Sequence, residues 1–220
     1  MKSQARGGTR WKRFAVVMVP SVAASGAVVV AIAQGALAAS FSVSGQQFKV
    51  SAGEMKGYDF VQYGALDTNS KGAHPVAVVG LKRAEISHLC QSVVVPTPLG
   101  DISMKLRAGD GEKVKAQNLY IDADVLRADA EFNKVDIGVS VDSTDKAKGG
   151  KGPGPAPGDK YVPGSFAQQA ESVTFTNAKQ RAWATSAGTF NLKGLKMGIN
   201  FGKNECFADS ELPKMPSLDD

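Results

Sequence analysis

The sequence is poor in the residues that most hydrolytic and redox enzymes use. It contains two cysteines, Cys90 and Cys206, and two histidines, His74 and His88, among 220 residues. The motif Gly-x-Ser-x-Gly, which places the nucleophile of many serine hydrolases on a sharp turn, does not occur. The glycines of residues 149–158 lack the strand and helix that flank a phosphate-binding loop. We therefore predict no catalytic residues and no cofactor.

The chain also lacks a surplus of positive charge once its first segment is set aside. Five of its 26 basic residues precede residue 14, and residues 1–39 contain no Asp or Glu. That leaves 21 basic and 21 acidic residues in 40–220. A nucleic-acid-binding surface needs clustered Lys and Arg that displace counterions from phosphates. The neutral balance argues against nucleic acid as a partner.

The two histidines have local contexts that favour structural roles. His88 alternates with Ile86 and Cys90, which predicts a histidine packed on a strand. His74 precedes Pro75 at the edge of a loop, which predicts a solvated turn residue.

The densest acidic group also has a structural interpretation. It consists of Asp122, Asp124, Asp129 and Glu131 on a predicted strand. Carboxylate oxygens bind Ca²⁺, but Arg127 lies among them, and neither the EF-hand spacing nor a Gly-rich calcium repeat is present. The two cysteines and two histidines match none of the common zinc spacings. We expect a solvated polar face here and predict no metal site.

After residue 40 no long stretch has the helical period, whereas strand-like alternation is frequent. The clearest series predicts Leu119, Ile121, Ala123 and Val125 to face in, then Leu126, Ala128, Ala130 and Phe132 after a slip of one residue, then Val135, Ile137, Val139 and Val141 after a turn at Asn133-Lys134. A later series predicts the same for Leu195, Met197, Ile199 and Phe201. The predicted fold class is all-β: a sandwich, an open barrel or a solenoid of short strands, preceded by an N-terminal hydrophobic signal or anchor helix.

That N-terminal segment is the apolar run of residues 14–39, which holds no charged residue and follows five basic ones. Basic residues, an apolar run and the small-residue sequence Ala36-Leu37-Ala38 are the parts of a secretory signal, in that order. The run is longer than a usual signal core and is long enough to span a bilayer, which needs about 20 residues. Two outcomes stay open: cleavage after Ala38 or Ala39, which we favour, or retention as a membrane anchor. Both predict export to the cell envelope or the extracellular space.

Export bears on the cysteines and on the domain plan. In an oxidising compartment, Cys90 and Cys206 are expected to form one disulfide, the alternative being two buried thiols. We predict a signal peptide or anchor at 1–39 and a single β-rich domain at 40–207. That domain should contain a mobile Gly/Pro loop at 143–165, and a disordered tail should follow at 208–220.

Several segments of the chain resemble an uncharacterised family of exported proteins from Streptomyces and related actinomycetes. They are ALAASFSVSGQQFKVSA, HPVAVVGL, HLCQSVV, AQNLYIDADVL and QRAWATSAGTFNLKGLKM. The family is a domain of unknown function, and some of its members bear the name cholesterol esterase. The resemblance spans nearly the whole chain, including the neighbourhood of Cys90. It implies a cell-envelope setting and supplies no catalytic residues.

These observations lead to one functional hypothesis and two rivals. The first is a non-enzymatic exported domain that binds a partner protein or an apolar, lipid-like ligand on the concave side of its sheet, where Ala123, Ala128 and Ala130 are small inward positions. The second is a lipid or sterol ester hydrolase with an unconventional site that uses His88 or His74. The third is a purely structural surface protein held in the membrane by residues 14–39.

Overall fold

The computed structural model of the protein describes residues 45–69 and 72–214. In these residues, nine strands form one antiparallel sheet. The strands are β1 (Phe48–Asn69), β2 (Gly72–Ser87), β3 (Leu89–Thr97), β4 (Gly100–Ala108), β5 (Val114–Asn133), β6 (Asp136–Ser140), β7 (Phe166–Ser186), β8 (Thr189–Asn191) and β9 (Lys196–Phe201). Three short 3₁₀ helices span Val141–Ser143, Lys146–Lys148 and Asp209–Glu211.

The four longest strands pair in a closed circuit, which we call the ring. β1 pairs with β2, β2 with β5, β5 with β7, and β7 again with β1. The last of these pairings joins Phe48 to Ala182, two residues 134 positions apart. The all-β prediction is confirmed, in the form of one sheet whose central strands return on themselves.

The remaining strands on one side form a three-stranded extension, which we call the flap. It consists of β3, β4 and β9, and β3 follows β2 directly after His88. The flap joins the ring through the pairing of residues 48–51 of β1 with residues 90–93 of β3. β4 pairs with β3, and β9 pairs with β4. In the strand order, β9 ends the sheet on this side and β6 ends it on the other.

Single residues with positive φ reset the side-chain alternation of the ring strands. Asp59, Asn118 and Asn177 have φ values of 53°, 49° and 51°. On β1, Met55 lies in the main core before the reset and Phe60 lies there after it. One residue in this conformation moves the following side chains to the opposite face, and Asp and Asn tolerate it better than most residues. Long strands can therefore keep apolar residues inside the ring on both sides of each reset.

A second core cluster lies between the ring and the segment 144–165, which we call the strap. The cluster contains Val61, Tyr63, Ala65, Val76, Val78, Tyr120, Val141 and Ala167. Main-chain atoms of the strap bond to β1: Ala156 N donates to Tyr63 Oη at 2.8 Å, and Lys160 O accepts from Leu66 N at 2.9 Å. The sequence predicts a mobile loop at 143–165. In the structure this segment contains a 3₁₀ helix, Lys146–Lys148, and is bonded to β1.

The inward positions predicted for β5 and β6 are partly confirmed. Leu119, Ile121, Ala123 and Val125 are buried, and Leu126, Ala128 and Phe132 pack against the main core. The predicted slip near residue 125 coincides with register shifts in the β5–β7 pairing. Ala130, Val135 and Ile137, however, are exposed. Their prediction was wrong because no further element covers this end of the sheet among the described residues.

The structure describes only part of the two chain ends. The predicted tail at 208–220 is held in its first part, since Asp209 and Glu211 form ion pairs with Lys49 and Lys179. The rest of it, residues 215–220, lies outside the described residues. The predicted signal or anchor at 1–39 also lies outside them. Within the part of the chain that the structure describes, no helix has the length and apolarity required of a membrane span.

Candidate functional site

The flap carries rows of apolar side chains that begin in the core and end in solvent. Leu89 on β3 and Ala108 on β4 face each other and belong to the main core. Alternate residues further along both strands lie on the same face, so each row continues toward Val95 and Ile102. Leu89 is 4% exposed and Val95 is 41% exposed. Side-chain burial thus decreases along the flap with distance from the main core.

Strand β9 extends these rows to the edge of the sheet. The register places Phe201 beside Ile102, Ile199 beside Met104 and Met197 beside Leu106. Ile199 is 70% exposed and Phe201 is 83% exposed. The sequence predicts that this series faces in, and it does share the face of the core. Its burial was predicted wrongly, because no described element covers it.

The opposite face of the flap is polar and covered by residues 202–211, which we call the C-terminal cover. Ser92 and Ser103 are fully buried there, and their hydroxyl oxygens accept hydrogen bonds from Cys206 N at 3.0 Å and Asn204 N at 3.2 Å. Cys206 is joined to Cys90 of β3, with 5.9 Å between their Cα atoms, as the sequence predicts. The flap therefore has one sealed polar face and one open apolar face.

Lys49 fixes the C-terminal cover to the root of the flap. Its ammonium group lies 2.9 Å from Glu205, 2.8 Å from Asp209 and 3.2 Å from Phe207 O, and its side chain is buried. Burial alone lowers the pKa of Lys49, but the hydrogen bonds to Asp209 and Glu205 outweigh it and the pKa is raised. The cover is consequently held by one covalent bond and by the ion pairs of one buried lysine.

The interior of the ring leaves little room for a ligand. The apolar cavity beside the root of the flap, lined by Val50, Met55, Leu119 and Phe190 among others, has a volume of about 30 Å³. Small-molecule sites usually have volumes of about 300–1,000 Å³. Ala123, which the sequence suggests as part of a ligand cavity, is buried in a filled core instead. This apolar cavity is therefore too small to hold a small-molecule ligand.

A polar cavity of about 480 Å³ lies where the ring strands are irregular. Its lining includes Ser51, His88, Arg127, Asp129, Lys179 and Glu211. His88 has φ 49° and is exposed, so its predicted role as a packed strand residue is wrong. The positive φ turns its side chain out of the alternation that Ile86 and Cys90 suggest. In the described structure, Lys179 and Arg127 already bond to Glu211, and no hydrogen bond joins Ser51 to His88.

Three aspartates interact electrostatically: Asp67 on β1, Asp122 on β5 and Asp159 on the strap. Burial raises the pKa of Asp122 to about 7, with further contributions from Asp67 and Asp159. Burial likewise raises the pKa of Asp67 and of Asp159, although a hydrogen bond from Tyr63 opposes the rise at Asp159. The prediction of a solvated Asp122 is therefore wrong.

The other predicted acidic residues separate from Asp122. Asp124 pairs with Arg181 at 2.9 Å, Asp129 lines the polar cavity, and Glu131 is exposed. The described residues contain no group of three or more His, Cys, Asp or Glu arranged to hold a metal ion.

His74 is partly buried, so the prediction of a solvated turn residue is wrong. It stands opposite Asp67 in the β1–β2 register, and its ring stacks on Trp183 with 4.2 Å between centroids. His74 Nε2 and Asp67 Oδ2 are buried without a hydrogen-bond partner. Sequence reasoning missed this environment because Trp183 is more than 100 positions away and gives no local signal.

These features define an all-β domain: one antiparallel sheet with a closed ring, and a flap whose polar face is stapled by a disulfide and whose apolar face is open. The chain belongs to a family of unknown function (DUF6230), whose model matches residues 44–207. No curated protein and no solved structure matches the chain.

Proposed function

We propose that this protein is a non-enzymatic, exported cell-envelope domain that binds an apolar, lipid-like partner on the open face of the flap. One observation carries the proposal: the apolar rows of the core continue along β3, β4 and β9 into solvent. Contiguous exposed apolar surface on a soluble domain commonly marks an interaction site. The neutral balance of residues 40–220 adds no electrostatic attraction to a highly charged partner.

Export is supported by two independent features. The disulfide between Cys90 and Cys206 is of the kind that persists in oxidising compartments. The basic residues, apolar run and small-residue end of residues 1–39 have the order of a secretory signal. A cell-envelope location would bring the flap close to lipids.

The experiment is native mass spectrometry of the full chain, followed by organic extraction of any bound lipid. The test variant is Ile199→Ser on the flap, and the matched control is Ile137→Ser on β6, since these side chains are 70% and 68% exposed. Burying an isoleucine side chain contributes about 2 kcal/mol, so Ile199→Ser should reduce lipid retention roughly 30-fold. Equal retention by the two variants, or a wild-type chain without bound lipid, would refute the proposal.

A second candidate function, ester hydrolysis, is favoured by one observation. The polar cavity brings a hydroxyl, an imidazole and a carboxylate into one lining, those of Ser51, His88 and Asp129. These are the groups of a nucleophile, a base and an orienting acid. This candidate predicts hydrolysis of a chromogenic acyl ester that is lost in His88→Ala and retained in His74→Ala, because His74 stacks on Trp183 and does not line this cavity. A pure protein with no hydrolysis above the blank would remove it.

A further inference from the structure

Four residues that interrupt the regular strand pattern lie side by side across the ring, in what we call the irregular row. The pairings on either side of Gly53 in β1 place His88 opposite it on one neighbouring strand and Asn177 opposite it on the other. His88 and Asn177 have φ values of 49° and 51°, and the β5–β7 register shifts by one residue at Ala128. All four residues line the polar cavity. Bulges and strained residues concentrate at binding and active sites, where they aim side chains out of the regular alternation.

The polar cavity has the size of a small-molecule site. Its volume is about 480 Å³, and such sites usually measure about 300–1,000 Å³. A Cβ atom placed on Gly53 would lie 3.1 Å from His88 Nδ1, so the imidazole lies close over the backbone of β1. The cavity therefore has room for a molecule with several carbon atoms.

Hydrogen-bond donors lie along one side of the irregular row. Lys179 of β7 pairs with Ser51 of β1 and with Arg127 of β5, so these three residues lie abreast on adjacent strands. Partners in an antiparallel register point to the same face of the sheet. Lys and Arg carry donors and no acceptor, and their strongest partners are oxyanions such as carboxylate and phosphate. This side of the cavity is complementary to an oxyanion.

An acceptor lies on the other side of the irregular row. Asp129 stands opposite Thr176, beyond the register shift, and its carboxylate lines the same cavity. An ionised carboxylate accepts hydrogen bonds only, whereas the Asn177 amide both donates and accepts. Hydroxyl groups, which also donate and accept, match both side chains, and an apolar ligand would leave them unpaired.

Glu211 of the C-terminal cover fills the oxyanion position with a carboxylate of the chain itself. Its carboxylate bonds to the ammonium group of Lys179 and accepts a hydrogen bond from Ala208 N at 3.0 Å, while its main-chain oxygen accepts one from Arg127 at 3.1 Å. The hydrogen bond from Lys179 is the main reason why the pKa of Glu211 is lowered. The cover is also held by the disulfide and by Lys49, so the Glu211 side chain can leave this position without detaching the cover.

We propose that the polar cavity binds a small polyhydroxylated anion, such as a sugar acid or a sugar phosphate. The oxyanion group of the ligand takes the place of the Glu211 carboxylate at Lys179 and Arg127, and its hydroxyl groups bond to Asp129 and Asn177. This inference goes beyond the proposed function, because the flap takes no part in it. It also involves no bond cleavage, unlike the ester hydrolysis considered for the same cavity.

The experiment is a titration of the full nitrogen-15-labelled chain, followed by two-dimensional NMR. The probes are D-glucuronate, D-glucose 6-phosphate and D-glucose, which share one sugar ring and carry a carboxylate, a phosphate or no charge. The test variants are Arg127→Gln and Glu211→Gln. The matched control is Arg83→Gln, which removes a positive charge from an exposed residue of β2 that does not line the cavity. Far-ultraviolet circular dichroism verifies the β-fold of each variant.

We expect both anions to bind at least about tenfold more tightly than glucose and to shift the amide signals of Gly53, Ala128 and Asn177. Arg127→Gln should weaken glucuronate binding about tenfold, because a charge-assisted hydrogen bond is lost, and the control should leave it unchanged. Glu211→Gln should strengthen it about fivefold, because a neutral amide competes less well for Lys179. The anion that binds more tightly identifies the oxyanion group as carboxylate or phosphate.

Equal affinities for glucuronate and glucose, or no binding of either anion, would overturn the inference. Equal losses in Arg127→Gln and Arg83→Gln would also overturn it, since they would indicate only diffuse electrostatic attraction. Unchanged or weaker binding in Glu211→Gln would show that no ligand competes with this carboxylate. Signal shifts confined to the flap, for example at Ile199, would place the ligand elsewhere and refute the site.

Discussion

Removing the Cys90–Cys206 disulfide should destabilise the domain more than any other single change we consider. The bond joins residues 116 positions apart, and closing a loop of that length in the unfolded chain lowers its entropy. The chain-entropy relation gives about 5 kcal/mol at 25 °C, and strain in the folded state would reduce that value. We therefore expect the variant Cys90→Ser/Cys206→Ser to lose about 2–5 kcal/mol of unfolding free energy.

The Lys49 network does not compensate for this loss. Its ion pairs with Glu205 and Asp209 exist in the folded state, whereas the disulfide acts mainly on the unfolded chain. The C-terminal cover should consequently remain on the flap in the variant, and the fold should be retained. The loss should be visible as lower stability rather than as an altered structure.

The assay is urea unfolding followed by tryptophan fluorescence, because Trp183 stacks on His74 and reports on the ring. For an m-value of about 2 kcal/mol/M, the midpoint should fall by about 1–2.5 M. Wild-type protein unfolded in the presence of a reductant should have the same midpoint as the double variant. A fall of less than about 0.5 M would refute the loop-entropy reasoning and indicate that the unfolded chain is already compact.

Three further predictions concern the ring and its surroundings. In Gly57→Ala, the added Cβ would lie 2.4 Å from Leu81 Cδ2, so urea unfolding should show a loss of about 1–3 kcal/mol, whereas Gly64→Ala, with nothing within 4 Å, should be nearly neutral; equal effects would contradict the packing. Asp122 binds a proton in the folded state up to about pH 7 but releases it near pH 4 when unfolded, so stability should fall by roughly 2–4 kcal/mol from pH 4 to pH 8. Asp122→Asn should remove most of that fall, and an unchanged pH profile would disprove the assignment. Lys49→Met keeps the side-chain stem but leaves the carboxylates of Glu205 and Asp209 without their ammonium partner, and calorimetry at neutral pH should show a loss of about 1–3 kcal/mol; an unchanged unfolding temperature would contradict this role of Lys49.

Local alternation in the sequence predicted the strands but not what covers them. Met197, Ile199 and Phe201 of the predicted series were assigned to the correct face, since the register places them on the face of the core, whereas Leu195 precedes β9. A period of two residues identifies a face, and burial depends on a second element that the period does not describe. The open flap could therefore be recognised only after the neighbouring strands were placed.

Features that depend on residues far apart in the chain could not be predicted from local sequence patterns. The ring closes through Phe48 and Ala182, and the carboxylates under the strap come from Asp67, Asp122 and Asp159. Their separation along the chain is large, and no spacing rule connects them. The prediction for His88 was wrong for a different reason: a positive φ is uncommon for any residue other than glycine, so alternation was the better-supported prediction.

The closure of the ring has a consequence for the order in which the chain folds. β1 is the first strand of the domain to emerge, but its second neighbour, β7, ends at Ser186, so one side of β1 stays unpaired until most of the chain has been delivered. Contacts at such long sequence separation slow folding, because the entropy of closing the loop must be overcome before pairing stabilises the chain. The domain should therefore fold in a single late step. A chain interrupted before residue 186 would expose the edge of β1 to other strands, where it could pair with a second chain.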